Sequence, residues 1–268
     1  MSHLVGWLYV WDSEIDSPEF SNLQTNWDAG EKFRQEAIRH LTAYLGPDGI
    51  PDTGVRAEHL SAPLASFNPV GEATACRLSP SLKQYLLDEL LRYVDATGAE
   101  QRYELSGRAP TMEEYLPLRM GTSAVAAIAV LIEYMMGIDL GDALRKDNDV
   151  QRIYNETNFL VSLMNDLFSL RRELMFPFYS NAVAVLYHQH KDLQVAVDEL
   201  YRLLAGSAAE LEAAAQRAIR RYPHRREDLE AFVTGAKTMV TGNIAWSKYI
   251  TRYGLGISKF DGTTEITI

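Results

Sequence analysis

The sequence predicts an all-α protein. Apolar residues recur at helical spacing over most of the 268 residues, and most prolines fall between the periodic segments rather than inside them. No stretch alternates polar and apolar residues for the length of a β-strand, and there is no internal repeat or low-complexity tract. We expect one domain over residues 1–268, because the helices on either side of a proline-rich connection cannot each close a core alone.

Seven helical segments are predicted. The second and third are separated by a surface connection over residues 47–70, which holds four of the ten prolines. The last segment shows the periodicity most clearly, because seven residues between 232 and 253 step alternately by four and three positions and so share one helical face. The predicted ranges are 4–16, 22–45, 80–104, 111–136, 148–175, 180–222, in which we expect a break, and 226–253.

Charge and cysteine content exclude several functional classes. The 26 Lys and Arg against 36 Asp and Glu give a net charge of -10, the opposite of a nucleic-acid-binding balance. A single cysteine, Cys76, excludes an internal disulfide framework and suits a reducing compartment. The longest uncharged apolar stretch, between Arg119 and Glu133, is too short to span a bilayer, and residues 1–7 lack the features of a secretory signal. We therefore expect a cytoplasmic protein with no nucleic-acid partner and no membrane span.

A polar motif at 165–173 gives the first indication of chemistry. Asn165, Ser169 and Glu173 are spaced i, i+4 and i+8, so their side-chain oxygens share one face of the predicted helix. Amide, hydroxyl and carboxylate oxygens are hard ligands that suit Mg²⁺. Arg172 is placed to reach an anion bound to the same metal. Taken alone, such a triplet also fits a solvated polar face of a helix.

The string Asn-Asp-x-x-Ser-x-x-Arg-Glu at 165–173 resembles the second metal motif of class I terpene synthases. That family carries an Asp-rich motif on an earlier helix. Here a similar motif spans Asp12 to Asp16, beginning 153 residues before Asn165, with Ser13 in place of its second aspartate. Asp12 and Asp16 share a helix face, which is also typical of a solvated helix edge.

Further features match the family at fixed distances. The diphosphate-sensing arginine of these enzymes lies 46 residues before the Asn of the second motif, and Arg119 stands at that offset. Thr122 and Ser123 match the linker and effector positions that follow it. The chain also resembles the family in its Arg252-Tyr253 pair, with Trp246 at an aromatic position six residues before that arginine. The resemblance covers essentially the whole chain and implies a single-domain helical bundle enclosing an apolar cavity.

The resemblance implies Mg²⁺-dependent ionisation of an allylic isoprenyl diphosphate, most simply farnesyl diphosphate, with three metal ions. The carbocation would then cyclise to a sesquiterpene as diphosphate is released. By resemblance, the metal ligands are Asp12, Asp16, Asn165, Ser169 and Glu173, the diphosphate donors are Arg119, Arg172, Arg252 and Tyr253, and the catalytic residues are Arg119, Thr122, Ser123 and Trp246. A monomer or a homodimer is expected.

Two alternatives stay open at this point. A prenyl diphosphate synthase shares the fold but carries two Asp-rich motifs, which the Asn-Asp-x-x-Ser string does not match. An impaired or inactive helical bundle is favoured by Ser13 and by the position of Asp12 close to the first residue. Members of the family usually carry one or two helices before this motif, so we expect a chain that is shortened at its N-terminus.

Overall fold

The computed structural model describes residues 2–16, 20–47, 60–173 and 181–253. These residues form helices joined by short turns, and they contain no β-strand. The predicted all-α class is therefore confirmed. The chain divides into two compact units, one formed by 1–107 with 121–137 and the other by 108–120 with 138–268. The extent of a single domain over residues 1–268 stays a prediction.

Twelve α-helices lie within the described residues. They are α1 (Ser2–Asp16), α2 (Trp27–Leu45), α3 (Ala62–Ala65), α4 (Asn68–Arg77), α5 (Pro80–Ser106), α6 (Met112–Thr122), α7 (Val125–Met136), α8 (Gly141–Arg145), α9 (Asn148–Glu173), α10 (Ala182–His190), α11 (Leu193–Arg221) and α12 (Arg226–Tyr249). Short 3₁₀ turns follow α11 at Pro223–Arg225 and α12 at Thr251–Tyr253. No single helix in this part of the chain is long and apolar enough to cross a membrane, and only α6 and α7 taken together reach that length.

Several predicted boundaries were wrong for identifiable reasons. The last helix, predicted over 226–253, ends at Tyr249 because the backbone of Ile250 is extended. The second helix begins at Trp27 rather than 22, because Asn26 is extended and its side chain accepts a hydrogen bond from the Ala29 N–H. The connection 47–70 contains α3 and the start of α4, because Pro63 and Pro69 occupy first-turn positions that tolerate proline. The predicted helix 111–136 is two helices, separated where Ala124 has a φ of 57°.

The first unit has an aromatic core. Its main packing pairs are α2 with α4 and α5, α1 with α3 and α4, and α5 with α7. Trp11 is fully buried and stacks on Phe33 with ring centroids 4.8 Å apart, while Trp7 meets Phe67 edge-on at 5.0 Å. Trp11 is thus a packing residue, and aromatic burial of this kind is a large part of what holds α1 in place.

His40 makes the first unit sensitive to acid. Its ring packs against Tyr44 and contacts the Asn68 amide oxygen at 2.9 Å, and burial lowers the pKa of His40 below its usual value. Near pH 6 the His40 ring therefore binds a proton more readily in the unfolded chain than in the folded one. The free energy of unfolding consequently falls as the pH drops through this range. We expect the Tm of the wild type to fall more between pH 7.5 and 5.5 than that of His40→Gln, measured by circular dichroism. Equal slopes for the two proteins would contradict this.

The second unit is built around α9, which packs against α8, α10, α11 and α12. Part of its apolar face packs in a buried cluster with side chains from α10 and α11; the α9 residues of this cluster are Leu160, Leu163, Leu167 and Leu170. At the start of the helix, the Asp147 side chain accepts hydrogen bonds from the main-chain N–H groups of residues 149 and 150. Arg217 and Arg221 of α11 form ion pairs with Asp149 and Asp147, each at 2.7 Å. Packing and capping together hold α9 as one continuous helix.

The predicted break in 180–222 is confirmed at Lys191, which ends α10 with a φ of 58°. A side chain with a Cβ is strained by roughly 1–2 kcal/mol in this left-handed conformation, whereas glycine is not. We expect Lys191→Gly to raise the free energy of unfolding by about 1 kcal/mol, or about 2–4 °C in Tm. Lys191→Ala keeps the Cβ and is the matched control. A gain of the same size in both variants would show that the charge, not the backbone, is responsible.

Candidate functional site

The predicted metal triplet lies on α9, within the second unit. Asn165, Ser169 and Glu173 are carried by one uninterrupted helix that ends at Glu173, so their spacing places them on one face as the sequence predicts. Ser169 is 1% exposed, and the other two side chains are half-buried. This helix face therefore carries polar oxygens in partly desolvated surroundings, where they attract a cation more strongly than at an open surface.

Asp166, the residue next to Asn165, is the centre of a buried hydrogen-bond network. Its Oδ1 faces the Arg119 guanidinium, with Nε at 2.9 Å and Nη2 at 2.7 Å. Its Oδ2 accepts from the Tyr115 hydroxyl at 2.6 Å and from the main-chain N–H of Ala182 at 3.1 Å. The side chain is fully buried. A buried carboxylate is tolerated only when its charge is paired and its lone pairs are used, and both conditions hold here.

Arg119 stands beside Asn165, as the 46-residue offset predicts. Its Nη2 donates to the Asn165 Oδ1 at 3.1 Å. One turn earlier on α6, burial and the negative charge of Asp166 raise the pKa of Tyr115 well above its usual value. The Tyr115 hydroxyl therefore keeps its proton and donates a hydrogen bond to Asp166. Two side chains of α6, Tyr115 and Arg119, thus bind the same carboxylate on α9. The positive charge of Arg119 is thereby held next to Asn165, a candidate metal ligand.

The end of the described chain also reaches this site. The Asn165 Nδ2 donates to the Tyr253 hydroxyl at 2.6 Å, and the Tyr253 side chain is 5% exposed. Trp246 packs edge-on against Tyr253 with ring centroids 5.7 Å apart, and its own side chain is 38% exposed. The structure therefore brings together four residues that were predicted from widely separated motifs, namely Arg119, Asn165, Trp246 and Tyr253.

The charges and donors of the triplet fit a divalent cation. Burial raises the pKa of Glu173, and the Asp166 carboxylate raises it further, so a positive ion beside the two acids would be favourable. The Asn165 carbonyl oxygen has two lone pairs, of which the Arg119 hydrogen bond uses one. Among the described residues no group of three or more His, Cys, Asp or Glu side chains is arranged to hold a metal. Of the triplet, only Glu173 belongs to those four residue types. Asn165 and Ser169 add amide and hydroxyl oxygens, and oxygen ligands are the kind that Mg²⁺ prefers.

The sequence places the chain in a family that carries this kind of site. Residues 3–210, most of the chain, match the sequence profile described as terpene synthase family 2, C-terminal metal binding. The chain belongs to the terpene synthase family. The predicted family, and with it the enzyme class of the terpene cyclases, is confirmed.

Curated relatives of this terpene synthase are similar along nearly all of its length. Sesquiterpene cyclase hepA of Aspergillus oryzae (strain ATCC 42149 / RIB 40) is 27% identical over 270 residues, covering 98% of this chain and 73% of the relative. Terpene cyclase 4 of Gibberella fujikuroi (strain CBS 195.34 / IMI 58289 / NRRL A-6831) is 29% identical over 256 residues, covering 92% of this chain and 65% of the relative. The chain thus spans about two thirds of the length of such relatives, and their activities are carried over to it only as a proposal.

Solved structures confirm the predicted fold of the terpene synthase. The 2-methylisoborneol synthase from Streptomyces coelicolor A3(2), in complex with Mg²⁺ and geranyl-S-thiolodiphosphate, has a TM-score of 0.76 at 21% identity, covering 94% of this chain and 77% of that one. The linalool/nerolidol synthase from Streptomyces clavuligerus, in complex with 2-fluorogeranyl diphosphate, has a TM-score of 0.75 at 17% identity, covering 91% and 80%. At these identities the similarity establishes the fold.

Several predicted site residues of this terpene synthase belong to the first unit. Asp12 is half-buried on α1 in the first unit. Thr122 and Ser123 lie in the first unit as well, where the Thr122 hydroxyl is buried without a hydrogen-bond partner and the Ser123 Oγ accepts from the Val125 N–H at 3.3 Å. Their roles stay predictions. The side chains of Asp16, Arg172 and Arg252 lie outside the described residues.

Three residues of the network were not predicted. Asp166 lies inside the motif, one residue after the predicted ligand Asn165. A side chain at that position points away from the ligand face, and this could have indicated a role other than metal binding. Tyr115 lies four residues before Arg119 and so shares its helix face. This spacing could have predicted that the two side chains contact the same partner. Asn181 carried only the signal of a helix N-cap. Its contact with Glu173, at 2.7 Å, depends on how α10 packs beside α9.

Proposed function

We propose that this terpene synthase ionises an isoprenyl diphosphate, most simply farnesyl diphosphate, and cyclises the resulting carbocation to a sesquiterpene with release of diphosphate. The observation that carries the proposal is the Arg119 guanidinium, which Asp166 holds beside Asn165 at the face of the metal triplet. The names of the curated relatives support the reaction class. Mg²⁺ and diphosphate analogues bound to the similar synthases support the cofactor and the substrate class.

Mg²⁺ is the proposed cofactor, with three ions expected. Asn165, Ser169 and Glu173 would hold one ion, and Asp12 with Asp16 the others. An ion held there would supply positive charge to offset the negative charge that develops on the leaving diphosphate. The donor set on α9 fits this role, since it offers three types of hard oxygen next to a second buried carboxylate.

The side chains of the protein act mainly by holding charges and hydrogen-bond donors in place before the substrate binds. Asp166 binds the guanidinium of Arg119 along Nε and Nη2, so a positive charge stands at the site before a substrate arrives. A fixed charge stabilises developing negative charge without the cost of reorganising it during the reaction. We propose Arg172, Arg252 and Tyr253 as further donors to the diphosphate, by family resemblance.

The carbocation needs an apolar surface that excludes water. Trp246 is proposed for that surface, because an indole face attracts positive charge and the ring is held edge-on against Tyr253 next to Asn165. Thr122 and Ser123 keep their proposed roles as linker and effector after Arg119. A cytoplasmic location and a monomeric or homodimeric state remain proposals from composition and resemblance.

The direct test is a product assay with geranyl, farnesyl and geranylgeranyl diphosphate. Each substrate is incubated with Mg²⁺ or with EDTA, and with or without isopentenyl diphosphate, and the products are identified by gas chromatography and mass spectrometry. We expect a cyclic sesquiterpene from farnesyl diphosphate in the presence of Mg²⁺ and none with EDTA. A longer prenyl diphosphate, formed only with isopentenyl diphosphate, would identify a chain-elongating enzyme. No product from any substrate would indicate an inactive member of the family.

A further inference from the structure

Asn181 joins the metal motif to the start of α10. Its side chain is 1% exposed. The amide oxygen accepts from the main-chain N–H groups of Val183 at 2.9 Å and Ala184 at 3.4 Å, which makes Asn181 the N-cap of α10. The amide nitrogen donates to the Glu173 Oε2 and to the main-chain oxygen of Asp166, each at 2.7 Å. A helix cap requires only the first pair of contacts.

The partners of Asn181 decide which way its amide points. Two main-chain N–H groups lie on one side and two acceptor oxygens lie on the other, so only one orientation of the amide satisfies all four contacts. Both amide hydrogens have an acceptor in that orientation. A serine or glycine would also cap α10. Glycine has no side-chain donor, and the serine hydroxyl is shorter and carries one hydrogen, so neither replaces the two donors of this amide nitrogen.

Glu173 needs such a donor because of where it stands. It is the last residue of α9, where the negative end of the helix dipole and the nearby Asp166 carboxylate both oppose a negative charge. Its side chain also has three rotatable bonds, which must be ordered before the carboxylate can meet a metal in one geometry. The hydrogen bond from Asn181 counters the charge and fixes one carboxylate oxygen at the same time.

We propose that Asn181 is a positioning residue that holds the Glu173 carboxylate in its metal-binding orientation. The proposal rests on the proposed function, because it requires Glu173 to be a metal ligand. Residues that hydrogen-bond to a ligating carboxylate typically change metal affinity by about 10–100-fold when they are removed. Asn181 acts through Glu173 and does not itself bind the metal, so its removal has no separate effect once Glu173 is changed.

The test compares Asn181→Ser and Asn181→Gly with the same two substitutions at Asn26. Asn26 is the matched control because its side chain caps α2, accepting from the Ala29 N–H at 3.1 Å, and it is exposed in the other unit. The readout is the affinity of the substrate-free protein for Mn²⁺ in the presence of inorganic pyrophosphate, measured by electron paramagnetic resonance. Circular dichroism and thermal unfolding without metal show that each variant is folded.

We expect both Asn181 variants to bind Mn²⁺ about 10-fold more weakly than the wild type, while the Asn26 variants bind it unchanged. In the background of Glu173→Gln, which itself weakens binding, Asn181→Ser should cause no further loss. Wild-type affinity in folded Asn181 variants, with weaker binding in Glu173→Gln, would show that Asn181 is only a helix cap. An equal further loss in the Glu173→Gln background would also overturn the proposal. Unchanged binding in Glu173→Gln would instead refute the metal role of Glu173 itself.

Discussion

Asp166→Asn is expected to lower the free energy of unfolding by about 3–5 kcal/mol, because it removes one partner of a buried ion pair and leaves the other. The Arg119 guanidinium would then lose its ion-pair partner, in a network whose other members, Tyr115 and the Ala182 N–H, also donate. An amide nitrogen cannot accept any of these hydrogen bonds. Chemical denaturation followed by circular dichroism measures the loss.

Turnover should fall at the same time, by at least about 10²-fold, because the charge beside Asn165 is no longer held in place. Asp149→Asn on the same helix is the matched control. Asp149 pairs with arginines that are 39% and 49% exposed, so their guanidinium groups stay solvated without it. Its loss should therefore cost less stability than that of Asp166 and leave turnover intact. Equal effects of the two substitutions on turnover would show that Asp166 supports only the helix and not the site.

Glu173→Gln is expected to reduce turnover by at least about 10²-fold at saturating Mg²⁺. The substitution keeps the shape of the side chain but removes a negative charge from the proposed metal shell, comparable to the loss of one preorganised electrostatic group. Its amide oxygen can still accept from Asn181, so the fold should change little. The amide nitrogen then occupies the other oxygen's place and cannot bind a metal, so the Asn181 contact no longer positions a ligand. Steady-state product formation from farnesyl diphosphate over a range of Mg²⁺ concentrations gives the measurement.

Glu156→Gln provides the comparison for that experiment, since Glu156 lies on the same helix and accepts hydrogen bonds from Ser207 and Arg152 rather than from the site. Its turnover should match that of the wild type. Wild-type turnover in Glu173→Gln as well would show that Glu173 is not a metal ligand and would remove the central support for the site on α9.

The positions of most helices could be predicted from periodicity, but their ends depended on single capping residues. The start of α2 moved to Trp27 because the extended Asn26 caps the helix there. The connection 47–70 was predicted as a loop because of its prolines, yet two of those prolines lie in the first turns of α3 and α4. Proline ends a helix that precedes it but is tolerated in the first turn of a helix that follows. Composition alone does not distinguish these two cases.

The sequence by itself determined that α9 carries Asn165, Ser169 and Glu173 on one face, because side chains four residues apart must align on a helix. Only the tertiary structure decided which side chains meet them. Arg119 reaches Asp166 and Asn165 across 47 and 46 residues of sequence, and Tyr253 reaches Asn165 across 88. Periodicity shows which way a side chain faces on its own helix. The partner it meets depends on how the helices pack, and that packing is decided by the many apolar contacts of the core together.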